Sequence, residues 1–134
     1  MTVNVIIITH GSAGKILSDS AKLTLDLNQP NNIQINTFDI KAYTDLDLFE
    51  ATLVSSINQL NTGDGVLVLT DLYGATPSNI AKRIKHELNT PIEIVTGLNL
   101  PMLLRVLNYA DESLVNLADI AVKGGISAIK KVED

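Results

Sequence analysis

The sequence predicts a single α/β domain over residues 1–134, a doubly wound and mainly parallel sheet with helices on both faces. Two short runs, residues 3–9 (VNVIIIT) and 66–70 (VLVLT), are almost wholly apolar, as strands covered on both faces are. Between and beyond them, apolar residues recur at helical spacing. Strand-like and helix-like segments alternate in pairs of about thirty residues, the βαβ arrangement that leads to parallel pairing.

Taken in order, residues 3–9 form the first strand and residues 13–27 the first helix. On that helix Ile16, Ser20, Leu23 and Leu27 fall on one face, opposite Lys15, Asp19, Lys22 and Asp26, so the first set is expected to face the sheet. Gln29, Pro30, Asn31 and Asn32 punctuate the chain, and residues 33–40 (IQINTFDI) alternate as a strand nearer the edge does. Asp45 is placed to cap the second helix, in which Leu46, Phe49, Leu53, Ile57 and Leu60 recur every three or four residues. The run Asn61, Thr62, Gly63, Asp64, Gly65 stops it, and residues 66–70 form the strand expected near the sheet centre.

Thr76 as N-cap with Pro77 at the first helical position starts the third helix, whose apolar face is Ile80, Ile84 and Leu88. Asn89, Thr90 and Pro91 break it before a fourth strand over residues 92–96 (IEIVT). Pro101 opens a short helix to about Tyr109, and the last long helix runs from Leu114 to about Lys131. Its face of Leu114, Ala118, Ala121, Gly125, Ala128 and Ile129 is mostly small. Gly124 and Gly125 each cost a helix ~1 kcal/mol relative to Ala, so close packing or a break is expected there.

In such folds ligands sit outside the carboxyl ends of the strands, where the strand order reverses. For the flavodoxin-like order 2-1-3-4, with room for an additional edge strand, that point lies between the first and third strands. Thr9, His10, Gly11, Ser12 follow the first strand, and Asp71, Leu72, Tyr73, Gly74, Ala75, Thr76, Pro77, Ser78 follow the third. His10 and Asp71 are therefore expected to face one another. A carboxylate on one ring nitrogen fixes the tautomer and makes the other nitrogen a better nucleophile or base. The helix beginning near Thr76 aims N–H groups and its positive dipole end at the same place, which suits a phosphoryl group. Gly11 and Gly74 let backbone come close. Singly, His10 reads as readily as a loop histidine and Asp71 as a loop cap; their joint placement is what points to chemistry. His86, between Lys85 and Glu87, reads as a surface residue, and Lys15, Lys22, Lys82, Arg83 and Lys85 as helix-face charges, with Lys82 and Arg83 open to an acidic partner.

Other chemistries are excluded by what is missing. Cysteine is absent, which removes disulfides, thiolate nucleophiles and Cys-based zinc or iron–sulfur sites. Two distant histidines do not make a metal site, and no cofactor is expected. Ten Lys and Arg against fifteen Asp and Glu leave a net charge of −5, and 4% aromatic residues offer no stacking platform, so nucleic acid is not a partner. Gly11, Ser12, Ala13, Gly14, Lys15 has too short a glycine spacing for a P-loop, and Ile16 stands where the metal-binding hydroxyl belongs. No G-x-S-x-G elbow is present, and Thr9-His10 replaces the acidic cluster of a receiver domain. The apolar run near the N-terminus is far shorter than the ~20 residues of a spanning helix and has no basic flank, so a cytoplasmic protein without membrane insertion is expected.

Thr9-His10-Gly11, the stretch from Asp71 through Tyr73, Gly74, Ala75, Thr76 and Pro77 to Asn79, and Thr96-Gly97-Leu98-Asn99-Leu100-Pro101-Met102 together resemble the enzyme IIA component of the mannose-type (mannose/fructose/sorbose) sugar phosphotransferase system, over essentially the whole chain. The resemblance implies that His10 accepts a phosphoryl group from the histidine phosphocarrier protein HPr and passes it to a IIB component, with membrane IIC and IID components acting beyond it in sugar uptake. It implies that Asp71 orients His10, that Gly11, Ser12, Gly74, Ala75 and Thr76 surround the phosphoryl group, and that Tyr73, Asn99 and Pro101 support loops or partners. A homodimer is also implied. Tyr73 stands where Trp is common in the family, Ala75 where Gly is, and Thr76 where Ser is, differences expected to bear on partner choice more than on chemistry. With Asp134 ending the chain, the IIB partner is expected to be a separate unit. The alternatives are the phosphocarrier subunit of a dihydroxyacetone kinase system and a regulatory module read out by its phosphorylation state.

Overall fold

The structure, a computed structural model, describes residues 2–25 and 32–133. Its strands are β1 (Asn4–Thr9), β2 (Ile35–Asp39), β3 (Val66–Thr70) and β4 (Ile92–Thr96), and its helices α1 (Ala13–Thr24), α2 (Leu46–Leu60), α3 (Thr76–Glu87), α4 (Leu100–Asn108) and α5 (Leu114–Ser127). The four strands form one parallel sheet in the order β2-β1-β3-β4. Among the described residues no further edge strand joins it.

Strand alternation divides the core into two layers. Val5 and Ile7 of β1 with Leu67 and Leu69 of β3 pack against Ala21 of α1, Met102, Leu103, Val106 and Leu107 of α4, and Leu117 and Ala121 of α5. Ile6, Ile8, Val66 and Val68 point the other way, onto Phe49, Leu53, Ile57 and Leu60 of α2 and Ile80 and Ile84 of α3. Burying a Leu, Ile or Phe side chain stabilises by ~1.5–3 kcal/mol, so β1 and β3, apolar on both faces, belong in the middle of the sheet.

Several expectations are corrected. On α1 the buried residues are Gly14, Ser18 and Ala21, whereas Ile16 is 59% and Leu23 82% exposed. The helix lies too close to the sheet for large side chains: a Cβ on Gly14 would sit 2.6 Å from Ile7 Cγ2. Leu27, Asp26 and the Gln29, Pro30, Asn31 break lie outside the described residues. The strand expected over residues 33–40 is shorter, because Ile40 already begins a 3-10 turn, Ile40–Ala42. The N-cap of α3 is Ala75 rather than Thr76, with Pro77 still in the first turn. The last helix ends at Ser127, leaving Ala128 and Ile129 exposed. Its glycines do mark close packing: a Cβ on Gly124 would lie 2.5 Å from Arg105 Cγ, and one on Gly125 3.0 Å from Met102 Cε. Asp45 caps α2 as expected, accepting from Asp47 and Leu48 N–H.

Candidate functional site

Because Ile8 pairs with Thr70 and Thr9 with Asp39, the three neighbouring parallel strands deliver His10, Asp71 and Asp39 to the same edge of the sheet. This is the switch point, since β1 runs on into a helix on one face and β3 into a helix on the other. His10 Nδ1 lies 3.0 Å from Asp71 Oδ2 and 3.2 Å from Oδ1, and the backbone N–H of His10 donates to Oδ2 at 2.9 Å. The side chains are 31% and 24% exposed, so the pair is partly shielded yet reachable. Burial pushes the Asp71 carboxyl up, but the backbone and side-chain hydrogen bonds from His10 and its charge outweigh that and hold it below the usual carboxylate value. Ionised, Asp71 can only accept, so Nδ1 is the ring nitrogen that donates to it, and in the neutral ring Nε2 presents its lone pair.

The next amide is held from the other side. Gly11 N–H donates to Asp39 Oδ1 at 2.8 Å, and Thr9 Oγ1 donates to Gly11 O and accepts from Gly14 N–H, both at 3.0 Å. With φ at +83°, Gly11 occupies the left-handed region that makes the chain turn away from the sheet. Its contribution is backbone shape, since its N–H is already engaged. Asp39 was not singled out in the sequence because one acidic residue ending an alternating strand carries no spacing signal.

The helices differ in how they begin, and α1, α2, α3 and α4 do so at this edge while α5 starts at the opposite one, where Leu114 lies by Gly65. α2, α4 and α5 are capped by the side chains of Asp45, Asn99 and Ser113. α1, entered through Ser12, and α3, entered through Ala75, have no cap from the side chain of their N-cap residue; Gly14 N–H of α1 is taken by Thr9 Oγ1, and the other first-turn N–H groups remain for a ligand or water. Gly74, with φ at +75°, and Ala75 lead into α3, where Asn79 Nδ2 donates to Gly74 O and Ser78 Oγ to Ala75 O. Thr76 is exposed on the first turn. Tyr73 stands 90% exposed beside it. Asn99 sits within α4–α5 packing, accepting from Met102 N–H at 2.9 Å and donating to Gly125 O at 3.2 Å, and Pro101 opens α4 at its side. His86 is exposed on the last turn of α3, as expected of a surface residue. Arg83 pairs with Glu50, Lys85 with Glu93 at 3.2 Å and Lys15 with Asp19 at 3.4 Å, so Arg83 is engaged within the chain. Among the described residues no three His, Cys, Asp or Glu side chains gather as a metal site would require, and no helix is long and apolar enough to cross a membrane.

Fold and site together define a doubly wound α/β protein with an imidazole–carboxylate pair at its switch point and two open helix N-termini beside it. Residues 4–121 match the family described as EIIA-man, PTS system fructose IIA component. The chain is 31% identical, over 99% of its length, to the PTS system mannose-specific EIIAB component of Escherichia coli K12, and spans 40% of that relative. A mannose/sorbose specific IIA subunit from Enterococcus faecalis superposes with a TM-score of 0.81 at 25% identity, covering 99% of this chain and 96% of that one. A PTS IIA protein associated with the fucose utilization operon of Streptococcus pneumoniae shares the fold with a TM-score of 0.78 at 23% identity, covering 97% and 93% of the two chains. The chain belongs to the mannose-type enzyme IIA family of the sugar phosphotransferase system.

Proposed function

We propose that the chain is a phosphoryl carrier that takes a phosphoryl group from phosphorylated HPr onto Nε2 of His10 and gives it up to a IIB component for sugar uptake. The observation that carries this reading is the Nδ1–Asp71 contact, which leaves Nε2 as the nucleophilic nitrogen of a partly exposed ring. Nε2 attacks phosphorus as the bond to the donor's histidine breaks. The proton stays on Nδ1, and Asp71 stabilises the positive ring that results. The return step is the reverse: the N–P bond to His10 breaks as the acceptor's nucleophile bonds to phosphorus. Phosphoryl transfer asks a protein mainly for position and for charge stabilisation. His10 is held by Asp71, and we assign the open amides of α1 and α3, with the Ser12 and Thr76 hydroxyls, as the donors to the transferring oxygens.

Incubation with phosphoenolpyruvate, enzyme I and HPr, followed by mass spectrometry, tests the reading. An acid-labile gain of ~80 Da, the mass of one added phosphoryl group, mapping to His10 is expected. Label that persists in a His10→Ala protein refutes the site.

A further inference from the structure

Two successive amides of the loop that carries the imidazole are each taken by a carboxylate, His10 N–H by Asp71 from the strand on one side and Gly11 N–H by Asp39 from the strand on the other. We propose that Asp39 is a positioning residue for phosphoryl transfer at His10, a role that rests on the phosphocarrier reading above.

Gly11 has no side chain for its surroundings to grip. A Cβ built on it would meet nothing within 4 Å, and its left-handed φ is one of many a glycine can adopt. Its peptide geometry is therefore set by hydrogen bonds: Thr9 Oγ1 to its carbonyl and Asp39 Oδ1 from its amide. Asp39 is itself well anchored. It is the last residue of β2, in register with Thr9, and its Oδ1 also accepts from Lys41 N–H at 2.9 Å at the start of the 3-10 turn. The segment after that turn is pinned by Tyr43, whose ring packs edge-on at 4.9 Å against the fully buried Phe49. The bond from Gly11 to Asp39 thus ties the reacting loop to the core beneath α2, across 28 residues of sequence. Without it the loop keeps its attachment to Asp71 but can swing about that point, and the ring no longer presents Nε2 along one line.

Asp39→Ala and Asp39→Asn test this against the wild type. Asparagine keeps an Oδ1 that can accept from both amides; alanine does not. The alanine variant is expected to lose roughly 10-fold in the single-turnover rate from phospho-HPr at saturation, with KM for phospho-HPr unchanged, and the asparagine variant to recover most of that loss. Amide exchange at Gly11 and the His10 ring nitrogen resonances, read by NMR without any transfer, are expected to change in Asp39→Ala and revert in Asp39→Asn. Wild-type rates in Asp39→Ala, or an equal loss in both variants, overturn the proposal, as do an unchanged Gly11 exchange rate and unchanged ring resonances. A wild-type protein that takes no label from phospho-HPr refutes the carrier reading instead, and the NMR comparison then decides the positioning claim alone.

Discussion

The imidazole of His10 and the carboxylate of Asp71 are joined twice, since one oxygen of Asp71 receives both the backbone N–H of His10 at 2.9 Å and its Nδ1 at 3.0 Å. One acid thereby holds both the backbone and the ring of the residue. The two residues are 61 positions apart, and only parallel pairing of β1 with β3 brings them together.

That relationship predicts graded losses. His10→Ala should take no phosphoryl group. Asp71→Ala removes a hydrogen bond to a group that becomes charged, worth about 1.5–3 kcal/mol, and should slow transfer roughly 10- to 150-fold. Rapid-quench measurement of label from phospho-HPr checks both, and an Asp71→Ala protein as fast as the wild type would show that the contact does not serve transfer.

The depressed Asp71 carboxyl also predicts how stability varies with pH. It titrates lower in the folded protein than in the unfolded chain, so on acidification the unfolded chain takes up the proton first. Its contribution is complete above the ordinary carboxyl range, shrinks as pH falls through that range, and is gone below the lowered folded value. The Tm of the wild type should therefore exceed that of Asp71→Asn most near neutrality, and the gap should close in acid. A gap that stays constant across the titration contradicts this.

Thr76 separates stability from chemistry. Its side chain is exposed on the first turn of α3 and does not cap the helix, so Thr76→Ala should leave stability within about 0.5 kcal/mol. If its hydroxyl donates to the phosphoryl group, the same change should slow transfer roughly 10-fold or more. By contrast Asp45→Ala, which removes a true cap of α2, should cost about 0.5–2 kcal/mol and leave transfer alone. Thermal denaturation and single-turnover rates on both variants distinguish the two; a Thr76→Ala protein that melts as early as Asp45→Ala contradicts the assignment of Ala75 as cap.

Much of this was readable from the chain because strands buried on both faces must be apolar throughout. The runs ending at Thr9 and Thr70 located β1 and β3, and with them His10 and Asp71. The helix α2 was equally plain, with its apolar repeat and its acidic cap. The face of α1 was misread because periodicity weighs large apolar residues, whereas a helix lying close on a strand selects small ones, here Gly14, Ser18 and Ala21. Asp39 was hidden for a different reason. Its role depends on the register of β2 against β1, which local sequence does not display.

The close approach of α1 to β1 leads to the last prediction. Gly14 lies in the first turn of α1, its N–H donating to Thr9 Oγ1, and an added Cβ would fall 2.6 Å from Ile7 Cγ2 and 3.1 Å from Thr9 Oγ1. Ile7 is fully buried among Val5, Leu67 and Leu69, so it cannot move aside without disturbing the core. Overpacking of this kind costs about 1–3 kcal/mol, more than the ~1 kcal/mol at most that alanine gains in helix propensity. Gly14→Ala should therefore lower the midpoint of denaturant unfolding, and because Thr9 Oγ1 also holds the Gly11 carbonyl, it should slow transfer at His10 as well. Gly124→Ala is the comparison: an added Cβ there would fall 2.5 Å from Cγ and 3.0 Å from Cβ of Arg105, the root of that side chain, so it should also lower the midpoint, but, touching neither Thr9 nor Gly11, it should leave transfer unchanged. Equal midpoints for wild type and Gly14→Ala would mean that the helix can retreat from the strand, and that its small-residue face is not what seats it.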